Sequence, residues 1–478
     1  MSHTYPNVQL HIGGEWSSAS GGETIPILDP ATDEQIGTVA RAARPDLERA
    51  VEAARQGLRT WSATSAYDRS KLMHAAAAIL TERADRIAWI MTREQGKPLA
   101  QSKAEVMGAV DSILWFAEEG RRAYGQVIPP RSPGVTQMTV KLPVGIVAAF
   151  TPWNFPIVQA SRKVAAAVAT GCSIILKPSE ETPASAAALV DCFHAAGLPG
   201  GVVNLLYGVP SEISGYLVAH PAVRKITFTG STAVGRQLAA LAGLHMKRTT
   251  MELGGHAPVI VAEDADIDDA AALMAGHKYR NAGQICIAPT RFLVQARVAD
   301  RFTERFVATA RGVTVGNGLD TTTTMGPLAN KRRISALEEL LANALEEGGK
   351  LLMGGRRIGN KGNFFEPTVL TDVPVTARIM NEEPFGPVAI VNRFDHLDDA
   401  IAEANRLPYG LAAYAFTRSD RTATRLGLEV ETGMLGINHH GLALPETPFG
   451  GVKDSGYGTE GGSQAIEAYL ETRFITRC

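Results

Sequence analysis

The chain has 478 residues, 45% hydrophobic, 20% charged and 6% aromatic, with 47 Lys and Arg against 49 Asp and Glu for a formal net charge of −2. That composition excludes a disordered chain, and the near-neutral balance excludes a broad basic surface for nucleic acid or anionic lipid. The length allows about two to four domains, each with a core of its own.

Residues 1–40 read as short strands and turns, two hairpins punctuated by Gly, Asp and Pro. The N-terminus has no basic region followed by an apolar stretch, so no secretory leader is expected and the cytoplasm is the expected compartment. Residues 47–61, 68–96 and 102–125 carry apolar side chains three and four apart, the spacing of amphipathic helices. The β-branched run 144–151 then predicts a buried strand. It meets Pro152, Asn154 and Pro156 too soon to cross a bilayer, and no membrane association is expected.

Strands predicted at 173–176, 202–206 and 225–229 alternate with helices at 161–170, 183–196, 211–220 and 231–242. Short apolar strands separated by helices point to a parallel sheet covered on both faces, wound as a dinucleotide-binding type of α/β fold. A second alternating set runs from 258 to 430 and predicts a second α/β domain. The tail 465–478 alternates like a strand, and a lone terminal strand needs a partner sheet, expected on another subunit. The four cysteines, Cys172, Cys192, Cys286 and Cys478, have neither a disulfide framework nor zinc-ligand spacing, so no metal is expected.

Five segments place special residues where chemistry is possible, and each has a plainer reading. Thr151-Pro-Trp-Asn-Phe-Pro156 follows a buried strand; Asn154 is either a turn residue or an amide donor aimed at developing negative charge. Lys177-Pro-Ser-Glu180 follows another strand; it is either a solvated loop or a ribose and phosphate contact. Phe228-Thr-Gly-Ser-Thr-Ala-Val-Gly235 ends a strand at Gly230 and caps a helix at Ser231. Such an N-terminus is either an ordinary turn or an anion site. In Met251-Glu-Leu-Gly-Gly-His256, Glu252 is either a surface carboxylate or a partly buried base. In Asn281-Ala-Gly-Gln-Ile-Cys-Ile287, Cys286 is either an inert buried thiol or a nucleophile, and His256 is the candidate histidine partner in space.

Together with Glu382-Glu-Pro-Phe-Gly-Pro387 and Pro448-Phe-Gly-Gly451, these segments resemble the aldehyde dehydrogenase superfamily, in its order and spacing, over nearly the whole chain. The resemblance implies an α/β fold of three parts: a Rossmann-type NAD(P)-binding domain from 1–121 and 143–253, a catalytic domain from 254–458, and a small β oligomerisation arm from 122–142 and 459–478. It implies oxidation of an aldehyde to a carboxylic acid through a thiohemiacetal and thioester on Cys286. Asn154 would be the oxyanion donor and Glu252 the general base. Lys177 and Glu180 would sit on the adenosine ribose, Ser231 on the pyrophosphate, and Glu383 and Phe385 beside the nicotinamide. Thr151, Pro152, Trp153, Ser179, Gly230 and Leu253 would line the cofactor wall. Glu180 favours NAD by repelling a 2′-phosphate, while Ser179 leaves NADP open.

Arg162 and Arg280 line up with the arginines that hold the substrate carboxylate in succinate-semialdehyde dehydrogenases, so a semialdehyde bearing a carboxylate is the expected substrate. The chain departs from that subfamily at Ala443 and Leu444, where a serine is usual, and at Ala288, which replaces a second cysteine; a longer or more apolar semialdehyde would suit Leu444 better. Family members are usually dimers or tetramers. The alternatives are a dehydrogenase for neutral aliphatic or aromatic aldehydes, or a thiol hydrolase or acyltransferase using Cys286 without a redox step.

Overall fold

Five parallel strands form the centre of an eight-stranded sheet in the spatial order Val203–Leu205, Ser173–Lys177, Ile146–Phe150, Val223–Thr229 and Arg248–Glu252. The computed structural model describes residues 4–478. Numbered along the chain, the order of these strands is 3-2-1-4-5. Ile146–Phe150 and Val223–Thr229 are therefore neighbours from which the chain winds in opposite directions. In such sheets, ligands bind outside the carboxyl ends of the strands at that switch point.

Local chemistry explains the elements. Ile146–Phe150 and Ser173–Lys177 are buried at every residue, as expected of strands covered on both faces. Helix Pro156–Thr170 starts with proline and stops at Gly171, whose φ of 86° is the left-handed cap that glycine adopts without strain. It is buried almost all round, Arg162 and Lys163 included. Helix Thr232–Leu244 is capped by Ser231, whose hydroxyl accepts from the Val234 N–H. The long periodic stretch 68–96 divides into Ala66–Glu82 and Ala84–Gln95 at Arg83, whose ψ of 2° is not helical.

A second, seven-stranded sheet has the order Lys350–Met353, Thr368–Thr371, Val388–Phe394, Pro289–Gln295, Ala257–Val261, Ala412–Phe416 and Met434–Ile437, all parallel except the first. The two predicted hairpins form, as Leu10–Ile12 with Glu15–Ser17 and as Thr24–Leu28 with Gln35–Ala40. Among the described residues no helix is long and apolar enough to cross a membrane.

The terminal strand Leu470–Arg477 is not lone: it pairs antiparallel with Thr136–Pro143 of the same chain, which pairs with Gln126–Ile128. The resemblance groups segment 122–142 with the tail; the pairing joins strands over three hundred residues apart. Gly456–Tyr457 adds an antiparallel strand beside Arg248–Glu252, and Ala465, Ile466, Tyr469 and Leu470 pack into the core of the first sheet. These apolar side chains are buried there before the chain turns out into the small sheet.

Packing of the first domain leaves no room at Gly57, on helix Arg44–Ser62: a Cβ there would lie 2.2 Å from the Gly201 carbonyl carbon. Gly57→Ala gains up to about 1 kcal/mol of helix propensity but meets backbone that cannot yield, and such overpacking costs about 1–3 kcal/mol. The variant is expected to be less stable than the parent in urea unfolding; greater stability would show that the helix shifts without cost.

Candidate active site

Two cavities open along the carboxyl edge of the first sheet. One, of 740 Å³, is lined by Thr151, Pro152, Trp153, Lys177, Ser179, Glu180, Gly230 and Ser231. The other, of 520 Å³, is lined by Pro152, Trp153, Asn154, Gly230, Ser231, Leu253, Cys286, Glu383 and Phe385. Their shared walls make one groove, and the N-terminus of helix Thr232–Leu244 stands where they join. Orphan N–H groups and the helix dipole favour an anion there. Lys177 and Glu180 pair at 2.7 Å, and Glu180 also accepts from the Gly208 N–H at 3.1 Å. An apolar cleft with a helix N-terminus at its middle fits a dinucleotide, with the first cavity for its adenosine half and the second, holding the cysteine, for its nicotinamide half.

The loop before Cys286 is held under strain. Asn281, Ala282 and Gly283 are all left-handed, with φ of 49°, 52° and 69°. Each non-glycine in that conformation costs about 1–2 kcal/mol, and such strain collects at functional sites. Polar contacts hold it: Gln95 Nε2 donates to Asn281 Oδ1 at 2.9 Å, and Asn281 Nδ2 donates to the Asn154 carbonyl at 3.0 Å. Asn154 Nδ2 donates to the Gln284 carbonyl at 3.1 Å, which ties the two loops together directly.

The glycines after Glu252 have a steric role. A Cβ on Gly254 would lie 2.7 Å from Glu383 Oε2, and one on Gly255 would lie 2.8 Å from the Cys286 carbonyl oxygen. Their absence lets Glu383 and the cysteine loop close on the strand end. Trp153 and Phe385 meet edge to face at 5.5 Å across the groove.

Burial dominates the electrostatics. It pushes the Cys286 thiol up to about 12, helped by the charges of Glu383 and Glu252 and opposed by Arg162. It raises Glu383 to about 8 against the Gly255 N–H, Arg333 and Lys278. Glu252 is raised well above the carboxylate range by burial and then by Glu460, while Lys163 and Arg162 pull it down. Both Glu252 carboxylate oxygens are buried without a hydrogen-bond partner. An orphaned buried carboxylate costs about 1–3 kcal/mol or more, and in a native fold it calls for a function.

Sequence reasoning missed the charges beneath Glu252. Lys163 Nζ bonds to Thr229 Oγ1 at 2.7 Å and to Glu460, which also accepts from Thr227 Oγ1 at 3.0 Å. The available signal was a Lys next to Arg162 inside an otherwise apolar, Ala-rich helix. His256 does not serve Cys286: its Nε2 engages the Ile379 carbonyl at 2.9 Å, and burial holds it well below the usual imidazole range.

The two arginines are not brought to one point. Arg162 is buried, donates to the Ala443 carbonyl at 3.1 Å and lies over the Phe449 ring at 4.4 Å. Arg280 is exposed, 5.8 Å from the Phe155 ring. Neither forms an ion pair among the described residues.

A profile described as the Aldehyde dehydrogenase family matches residues 16–475. The chain belongs to the aldehyde dehydrogenase family. This aldehyde dehydrogenase is 49% identical over 467 residues to the 4-(hydroxymethyl)benzenesulfonate dehydrogenase TsaD1 of Comamonas testosteroni, covering 98% of this chain and 97% of that one. It is 43% identical to the glutarate-semialdehyde dehydrogenase of Pseudomonas putida, with the same coverage. The crystal structure of succinate-semialdehyde dehydrogenase from Burkholderia pseudomallei superposes with a TM-score of 0.97 at 40% identity, over 98% of both chains. The enzyme is an NAD(P)-dependent oxidoreductase acting on aldehydes, and the expected family, α/β fold and cofactor class hold.

The raised thiol makes a specific demand. In a Cys478→Ser background, where Cys286 is the one remaining cysteine with partial solvent access, alkylation of the cofactor-free enzyme is expected to accelerate roughly tenfold per pH unit from 7 to 10. Arg162→Ala, which removes the cation favouring the thiolate, is expected to slow it. A plateau below pH 8 would contradict the burial argument.

Proposed function

We propose that this enzyme oxidises an aldehyde carrying an anionic group, through Cys286 as nucleophile, Asn154 as oxyanion donor and Glu252 as general base. The observation that carries the reading is the convergence of Asn154 and Cys286 on one cavity, beside a buried carboxylate with no partner of its own. The thiol passes its proton to Glu252, whose raised pKa suits it to hold one, and the thiolate attacks the aldehyde carbon. The second N–H of the Asn154 amide and the Cys286 main-chain N–H then stabilise the new oxyanion; one such donor contributes about 2.7–4 kcal/mol elsewhere. NAD or NADP, when bound, supplies the hydride acceptor. Once it has released that proton to solvent, Glu252 draws another from the water that opens the thioester on Cys286, and returns it to the leaving sulfur as the acid departs. Lys177, Ser179, Glu180 and Ser231 are the residues to hold the adenosine half and the pyrophosphate, and Glu383 and Phe385 those beside the nicotinamide, with Thr151, Pro152, Trp153, Gly230 and Leu253 as walls. Glu180 favours NAD.

The anionic group is argued from Arg162 and Arg280, two guanidiniums that rest on aromatic rings and form no ion pair among the described residues. The relatives named for an aromatic sulfonate and for glutarate semialdehyde both act on anionic compounds, which supports the same class. Leu444, 46% exposed on the loop that Arg162 holds, suits a chain longer or more apolar than succinate semialdehyde. The small sheet of Gln126–Ile128, Thr136–Pro143 and Leu470–Arg477 exposes Val127 and Phe474, and an apolar, unpaired sheet edge supports a homodimer or homotetramer. Four free cysteines suit a reducing compartment such as the cytoplasm.

Cys286→Ala is expected to abolish NADH formation, and retained turnover would overturn the mechanism. Glu252→Gln is expected to slow steady turnover far more than the first-turnover burst. Because a raised carboxyl loses its proton only as pH rises, the parent's steady rate is expected to climb with pH above neutrality, and the variant's profile to flatten; parallel profiles would place the base elsewhere. Arg162→Ala and Arg280→Ala are expected to raise KM for 5-oxopentanoate about tenfold or more while changing KM for pentanal about twofold or less. Equal effects on the two would refute the anionic substrate.

A further inference from the structure

Lys97 and Glu105 form an ion pair at 2.5 Å, each side chain 1% exposed, directly behind the Asn154 loop. Neither touches the groove. The ammonium has three N–H donors and three partners: Glu105 Oε2, the Asn154 main-chain carbonyl at 2.7 Å, and the Phe155 ring at 4.1 Å. The carboxylate is equally committed, because Glu105 Oε1 accepts from the N–H groups of Ile157 and Val158 at 3.1 and 3.3 Å, in the first turn of helix Pro156–Thr170. There it meets the positive end of the helix dipole as well. The pair thus pins the loop at Asn154, Phe155, Ile157 and Val158.

The Asn154 carbonyl has two lone pairs and both are taken, one by Lys97 and one by Asn281 Nδ2. Asn281 belongs to the left-handed segment that leads to Cys286, and it is held in turn by Gln95, two residues before Lys97. Gln95 Oε1 also accepts from the Lys97 N–H at 3.0 Å. One short stretch, residues 95–97, therefore holds the donor loop and the nucleophile loop at the same carbonyl. A buried ion pair is a costly means of stabilising a fold, since apolar residues of similar volume often serve as well or better. Its use here is explained by what it positions.

We propose that Lys97, with Glu105 as its counter-charge, is a positioning residue for aldehyde oxidation: by holding the Asn154 main-chain carbonyl it sets where the Asn154 amide stands relative to Cys286. The proposal rests on the reading of Asn154 as oxyanion donor. A misplacement of about 1 Å in such a group costs on the order of a hundredfold in rate. Lys97→Met alone would strand a buried carboxylate, so the informative variant is Lys97→Met/Glu105→Gln. It removes both charges and keeps an acceptor for Ile157 and Val158.

The double variant is expected to keep its thermal midpoint within a few degrees and its KM for aldehyde within about threefold, while the first-turnover burst of NADH slows about 10- to 100-fold. Adding the same pair of changes to Asn154→Ala is expected to slow the burst less than about twofold further, because the group they position is gone. A parent-like burst in the double variant, or the same fold-loss in the presence and absence of Asn154, overturns the positioning role. Asn154→Ala measured alone tests the underlying reading: a parent-like burst there refutes Asn154 as oxyanion donor, and with it this proposal, whereas a slowed burst without coupling refutes the Lys97 role only.

Discussion

Desolvation is the constraint on which the site depends. The charges of Glu252 and Glu383 both bear on the Cys286 thiol, and each of the three groups has its ionisation suppressed by burial before any other neighbour is counted. Three acids so placed cannot all be charged at neutral pH. The cations nearby do not cancel this: Arg162 and Lys163 moderate it, and Lys163 is already engaged by Glu460 and two threonine hydroxyls. Burial therefore favours the protonated form of all three groups, and it follows from the packing of apolar strands around them.

The groove exists because two sheets present their edges to one another. Asn154 and the helix N-terminus at Ser231 come from the switch point of the first sheet, while Cys286 arrives on the segment preceding strand Pro289–Gln295 of the second. Neither unit contains a complete site. What joins them is polar: Asn154 to Gln284, Asn281 to Asn154, and Gln95 to Asn281, all buried. Networks of this kind are worth most when every member is satisfied, and they specify one relative placement where apolar contact would tolerate several.

Arg162 and Arg280 are set differently. Each lies over an aromatic ring, Arg162 over Phe449 and Arg280 over Phe155, and the loop that Arg162 holds carries Ala443 and Leu444. A planar guanidinium can stack on a ring face and still keep N–H groups for another acceptor.

The amino-acid order determined a good deal unaided. Buried strands 146–150 and 173–177, the helices between them and the capped turn at Ser231 were legible because apolar runs, Gly, Pro and Ser act over a few residues. Seven motifs in order pointed to the family. Strand Arg248–Glu252 was not legible, and so Glu252 read equally well as a surface residue; its place between Val223–Thr229 and Gly456–Tyr457 buries it. The Lys163–Glu460 pair and the Lys97–Glu105 pair were hidden as well. Sequence patterns report which side chains will leave water, since that depends on periodicity. Which buried charge meets which depends on contacts between residues 8 to 297 positions apart, and those exist only once the chain has packed.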